Sequence, residues 1–143
     1  MVIKMREKRF LVEPEKNGLK KISAELRDEF HHIILRVWIE SDQLRIVNIE
    51  LNMLQYPAPK CIDIKENLRK LIGLPFQHPQ FRRRLLKIIG GERGCFHVLE
   101  LLVEAQDYAR PYFWDHLPDE NGCYKISPVN HEEKVRCIAF QNS

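Results

Sequence analysis

Phe30-His31-His32-Ile33-Ile34-Leu35-Arg36-Val37-Trp38-Ile39-Glu40 is the stretch whose reading decides the fold. It is rich in β-branched and aromatic residues. Ile33, Leu35, Val37 and Ile39 fall at every second position, with Arg36 and Glu40 opposite them. A period of two over such residues marks a strand with one buried face. The parity extends one residue upstream. His31 shares the side of Ile33 and Leu35 and is expected to point toward the core, while His32 shares the side of Arg36 and is expected to face away.

The same pattern spreads in both directions. Upstream, Leu19 to Leu26 alternates, with Ile22, Ala24 and Leu26 on one face, and Lys8 to Val12 reads as a short leading strand followed by a turn within residues 1–18. Downstream, Ser41-Asp42 turns the chain and Leu44 to Leu54 forms a further strand with Val47, Ile49, Leu51 and Met53 aligned. Links this short favour an antiparallel meander.

Tyr56-Pro57-Ala58-Pro59 closes the strand region, and the period then lengthens. Asp63 and Glu66 resemble a capping box ahead of Ile64, Leu68, Leu71 and Ile72, and Gly73 stops that helix. Pro79 suits the first turn of a second helix carrying Phe81, Leu85, Ile88 and Ile89, which ends at Gly90-Gly91. Cys95 to Arg110 is the third helix, with an apolar stripe of Val98, Leu101, Leu102, Ala105, Tyr108 and Ala109 closed by Pro111. Strands followed by helices predict an α+β fold: an antiparallel sheet of three or more strands with about three helices packed on one face. Residues 115–143 are expected to form a C-terminal hairpin, from Cys123 to Ile126 and Val135 to Phe140, or a tail.

The 143 residues are 44% hydrophobic and 30% charged, which suits one soluble domain spanning residues 1–143. A net charge of +3 gives no reason to expect nucleic acid as a partner. No run reaches the roughly 18 apolar residues of a membrane span, and Met1 to Phe10 lacks the apolar stretch of a secretory signal. A cytoplasmic location is expected. There, four cysteines read as thiols or ligands rather than disulfides. The chain has no Gly-rich phosphate loop, no H-E-x-x-H and no G-x-S-x-G.

Chemistry concentrates at three joints between elements: Asp28-x-x-His31, Cys61 and Cys95-x-His97. Thiolate and imidazole are the preferred ligands of zinc and iron. Brought to one end of a layered domain, His31, Cys61, Cys95 and His97 would make a mixed site, with Asp28 as a further ligand or as the carboxylate behind a ligand. Cys95 opens a helix, where backbone N–H groups favour a thiolate, and is expected to be the most acidic thiol. Residues two apart on a regular helix point apart, so Cys95 and His97 can share an ion only if Cys95 precedes the first full turn. Each residue has a plainer reading as well. Cys61, Cys95, Cys123 and Cys137 are also small buried hydrophobes, and His31 a hydrogen-bonded core histidine. Arg82-Arg83-Arg84 reads as a solvated helix face or as a docking point for an acidic partner.

Arg27-Asp28-Glu29-Phe30-His31, Pro57-Ala58-Pro59-Lys60-Cys61 and Gly94-Cys95-Phe96-His97-Val98-Leu99-Glu100-Leu101-Leu102 resemble a small bacterial family of unassigned function, domain of unknown function 2889. That family shows D-x-x-H, P-x-x-x-C and G-C-x-H-L-x-E-L-L elements in this order. Here Val98 stands for a leucine in the last, and Asn121-Gly122-Cys123-Tyr124 resembles a looser element near the family's end. The likeness covers roughly residues 8 to 126. More distantly, the order of elements is similar to the iron–sulfur scaffold fold of IscU and NifU, shared with the sulfur acceptor SufE. Those scaffolds carry cysteine, aspartate and histidine at the places held here by Asp28-x-x-His31, Cys61 and Cys95-x-His97. The first scaffold cysteine has no counterpart in this chain, nor does the L-P-P-V-K lead-in to the late helix. The resemblance implies a metal- or cluster-binding protein with zinc, iron or an iron–sulfur cluster as cofactor. It also leaves open a sulfur-transfer protein carrying a persulfide on Cys95 or Cys61, and an interaction module with structural cysteines.

Overall fold

Four strands follow one another in space as they do in sequence: β1 (Glu7–Pro14), β2 (Lys20–Arg27), β3 (His32–Ile39) and β4 (Ile46–Gln55) form one antiparallel sheet in the order β1-β2-β3-β4. The computed structural model describes residues 4–113. The expected hairpin or tail at residues 115–143, with Cys123 and Cys137, lies outside the described residues.

The alternation in β2 and β3 fixes the register. Ile22 faces Val37, Ala24 faces Leu35 and Leu26 faces Ile33, so one column of apolar pairs runs down the inner face. All six side chains are buried. Glu40 closes the β3–β4 turn by accepting backbone N–H bonds from Asp42, Gln43 and Arg45 at 2.7–2.9 Å.

β4 departs from strict alternation. Asn48 pairs with Trp38 but Ile46 pairs with Ile39, so Val47 is an extra residue, and Leu54 is another between the His32–Gln55 and Ile33–Met53 pairs. Each bulge shifts the parity by one. The inward residues are therefore Ile46, Ile49, Leu51 and Met53, and Val47, expected in the core, is exposed.

The helices α1 (Ile64–Leu68), α2 (Phe81–Ile89) and α3 (Phe96–Ala109) cover the inner face. α3 packs across β2 and β1, α1 lies against β4, and α2 touches both other helices. Val98, Leu101, Leu102, Ala105 and Ala109 of α3 are buried, each large one contributing about 1.5–3 kcal/mol of transfer free energy. Tyr108 and Ile72, expected on the apolar stripes, are 39% and 45% exposed.

The segment from Pro59 to Leu71 is less regular than the sequence pattern implies. A 3-10 turn (Pro59–Asp63) leads into α1 and a second one (Arg69–Leu71) follows it. Asp63 therefore already has helical backbone angles when α1 starts, and its side chain makes no cap bond. The second helix likewise starts at Phe81, two residues beyond Pro79. Between them, residues 73–76 run beside the start of β4, with Ile46 N–H donating to Leu74 O at 2.9 Å and Phe76 N–H to Leu44 O at 2.8 Å.

α2 ends at Gly90, and the link to α3 passes back against it at Gly94; at both positions packing demands glycine. A Cβ on Gly94 would lie 1.5 Å from the carbonyl oxygen of Ile89, and one on Gly90 2.3 Å from that of Leu86. This close approach sets the residue before Cys95 against the last residue of α2.

Candidate functional site

β2 ends at Arg27, and the turn into β3 is built by the next residue. Asp28 Oδ1 accepts the backbone N–H groups of Phe30 (2.9 Å) and His31 (2.7 Å), an Asx-type turn. The same oxygen lies 2.9 Å from His31 Nδ1. Oδ2 takes the Arg6 guanidinium, with Nε and Nη2 both at 2.9 Å. Burial by itself would raise the Asp28 pKa. The donations from Phe30 N–H, the His31 ring, Arg6 and His31 N–H outweigh it and hold the carboxyl well below the usual carboxylate range. An ionised carboxylate only accepts, so His31 donates to it from Nδ1, the tautomer that in a neutral imidazole leaves the lone pair on Nε2.

His31 is buried, as its parity requires, and His32 faces the other way, its Nε2 3.0 Å from Glu25 Oε2. Beside His31 lies His97, in the first turn of α3. Their ring centroids are 4.0 Å apart and tilted by 40°. Burial pushes the His97 pKa below its ordinary 6.5, and neighbouring His31 and Arg6 push it further the same way, against the opposing pull of Asp28 and Glu100. Neutral imidazole, the form that binds metals or accepts a proton, is thus favoured at His97. Phe96, 67% exposed, stands nearly perpendicular to His97, with ring centroids 6.0 Å apart.

Cys95 caps α3 in an extended conformation, φ −126° and ψ 123°. It precedes the first turn, which meets the geometric condition for Cys95 and His97 to serve one site. Its side chain makes no cap bond to the helix. Cys61 lies in the turn Pro59–Asp63, its N–H donating to Ala58 O at 3.0 Å. Cys61 and Cys95 are both half-buried free thiols, and both line one cleft of about 400 Å³ with Lys60, Asp63 and Glu92.

The candidate residues thus gather as two sets: Asp28, His31 and His97 in one, and Cys61 with Cys95 in the other. Among the described residues, no group of three or more histidine, cysteine, aspartate and glutamate side chains is drawn together tightly enough to hold a metal ion. Of the arginine trio, Arg82 is held by Asp107 at 2.8 Å, and Arg110 reaches the same carboxylate at 3.1 Å. Arg83 is exposed and Arg84 half-buried.

Sequence reasoning missed Arg6. Only the register reveals it: Glu7 pairs with Arg27, so the next step outward sets Arg6 against Asp28. Lys8 was missed for a similar reason. It sits on the inner face of β1 and bonds Glu100 and Glu104 of α3, tying that helix to the sheet next to the site.

A family model described as protein of unknown function (DUF2889) matches residues 12–110, a span holding Asp28, His31, Cys61, Cys95 and His97. The chain belongs to this family. No curated protein and no solved structure matches the chain. Among the described residues, no helix is long and apolar enough to cross a membrane.

Proposed function

We propose that this DUF2889 protein binds zinc or iron, as an ion or as part of an iron–sulfur cluster, through His31, His97, Cys95 and Cys61, with Asp28 behind His31. The observation that carries this reading is the contact of Asp28 Oδ1 with His31 Nδ1 at 2.9 Å, with the His97 ring beside it. A carboxylate on one ring nitrogen fixes the tautomer, orients the ring and raises the basicity of the other nitrogen, as metal-bound histidines require. His97 supplies a second imidazole. The two thiols add soft donors suited to zinc and iron. A bound ion would supply Lewis acidity or, for iron, electron transfer. What the chain itself does is hold Asp28 ionised, aim His31 and keep His97 unprotonated. The likeness to the IscU, NifU and SufE fold, in the order of the three joints, supports the cluster version of this proposal.

The test is the metal content of protein purified without added metal, by mass spectrometry, together with its visible absorption spectrum. Stoichiometric zinc or iron, reduced in His31→Ala and His97→Ala, is the expected result. Metal-free protein that takes up neither zinc nor ferrous iron on titration overturns the reading.

The shared cleft of Cys61 and Cys95 favours a second reading, sulfur carried as a persulfide on one of them with His97 as acid or base. Metal-free protein with one alkylation-sensitive thiol supports it. Under either reading, Arg82, Arg83 and Arg84 form the proposed contact for an acidic protein partner.

A further inference from the structure

The Cys61–Cys95 cleft has a charge pattern that metal ligation does not use. Its volume of about 400 Å³ falls within the ~300–1,000 Å³ of small-molecule sites. Lys60 sets a cation at its wall, and Asp63 and Glu92 set carboxylates. Among the described residues none of these three forms an ion pair with another. Both thiols are free and half-buried. A small ligand that answers all of these groups has a carboxylate for Lys60, an ammonium for Asp63 and Glu92, and sulfur for the cysteines. We propose that the cleft is a thiol–disulfide exchange site for amino-acid-type disulfides, small zwitterions with a sulfur–sulfur bond.

The chemistry is two successive displacements. One cysteine thiolate attacks a sulfur of the ligand disulfide. A protein–ligand disulfide forms, the ligand S–S bond breaks, and one ligand thiolate leaves and takes up a proton. The second cysteine then attacks the protein sulfur of that mixed disulfide. The Cys61–Cys95 bond forms, and the second ligand thiolate leaves and is protonated. Two protein thiols are oxidised, and one ligand disulfide is reduced to two thiols. The resulting disulfide withdraws two of the thiolates that the metal reading uses, so oxidation and metal loading exclude each other.

The experiment uses the full chain, reduced, stripped of metal with a chelator and desalted, so its outcome does not depend on the metal reading. L-Cystine is added, and peptide mapping by mass spectrometry follows each cysteine with time. The expected product is a Cys61–Cys95 cross-linked peptide pair with the loss of two hydrogens. Its formation should be about tenfold faster than with the neutral hydroxyethyl disulfide, each rate normalised to that of a free small thiol, as two exposed ion pairs would provide. Cys95→Ser and Cys61→Ser should each leave a stable mixed disulfide on the remaining cleft thiol. Persistent mixed disulfides on both cysteines of the unmodified chain, without the cross-link, overturn the proposal. Equal normalised rates for the two disulfides overturn the ligand assignment.

Discussion

The rings of His31 and His97 stand 4.0 Å apart, although one comes from the turn after β2 and the other from the first turn of α3. Two imidazoles this close resist carrying two charges, because each positive ring disfavours protonation of its neighbour. With burial as the larger cause and this neighbour adding to it, His97 should titrate below 6.5 in the folded protein. Its folded pKa lies below the unfolded value, so the unfolded chain binds more protons, and the contribution of His97 to stability is present above 6.5 and lost as pH falls through the folded value. Proton NMR titration of the imidazole resonances checks this, and His31→Ala should move the His97 midpoint upward. A midpoint at or above 6.5 in the unmodified protein would contradict the environment described for His97.

Asp28 makes a separate acid-labile contribution. Its carboxyl is held below the usual range by Phe30 N–H, the His31 ring, Arg6 and His31 N–H acting against burial. Stability from this source is present above the unfolded aspartate value of about 3.9 and fades as pH falls toward the folded value. Asp28→Ala strands two backbone N–H groups and should cost about 3 kcal/mol, whereas Asp28→Asn keeps an acceptor and should cost about half as much. Urea unfolding at neutral pH measures both, and the asparagine variant should lose the low-pH component of the stability profile.

Gly94→Ala tests the junction that presents Cys95. The added Cβ meets the Ile89 carbonyl oxygen at 1.5 Å, so α2 and the start of α3 must separate. A loss of about 3 kcal/mol, at the upper end of overpacking costs, is expected. Thermal unfolding gives the magnitude. A near-neutral result would mean that the helix junction yields more easily than its backbone contacts imply.

Gln106 is the buried polar anchor of the link before α2. Its Nε2 donates to Phe76 O at 2.9 Å, and Gln77 Nε2 donates to the Gln106 backbone oxygen at 3.0 Å. Gln106→Leu leaves the Phe76 carbonyl unsatisfied and should cost about 1–3 kcal/mol. An unchanged denaturant slope would attribute the loss to that bond rather than to a change in the surface exposed on unfolding.

How far the sequence foretold these features depends on the range over which each is determined. The inner face of β3 and the direction of His31 follow from parity alone, a local property, and both are found. Parity fails in β4, where the bulges at Val47 and Leu54 each insert one unpaired residue that no composition cue marks. The cap expected at Asp63 fails because the preceding Pro59–Asp63 turn has already started winding the chain. Asp28 and His31 as partners were legible from their spacing. Arg6 beside Asp28 was not, since that pairing exists only once β1 and β2 are in register. The shared cleft of Cys61 and Cys95 depends on the path of two links and on the glycine contact at Gly94, none of which a linear pattern encodes.

The meander also has a consequence in time. Every strand pairs with its sequence neighbour, so the sheet is assembled from short-range hairpins, which form early when loop closure is the slow step. His31 and Asp28 ride on that sheet, whereas His97 and Cys95 arrive only when α3 docks. The histidine contact is then among the last native contacts to form on refolding. In a stopped-flow experiment the fluorescence of Trp38, in β3, should change before the Cys95 thiol becomes protected from a pulse of alkylating agent.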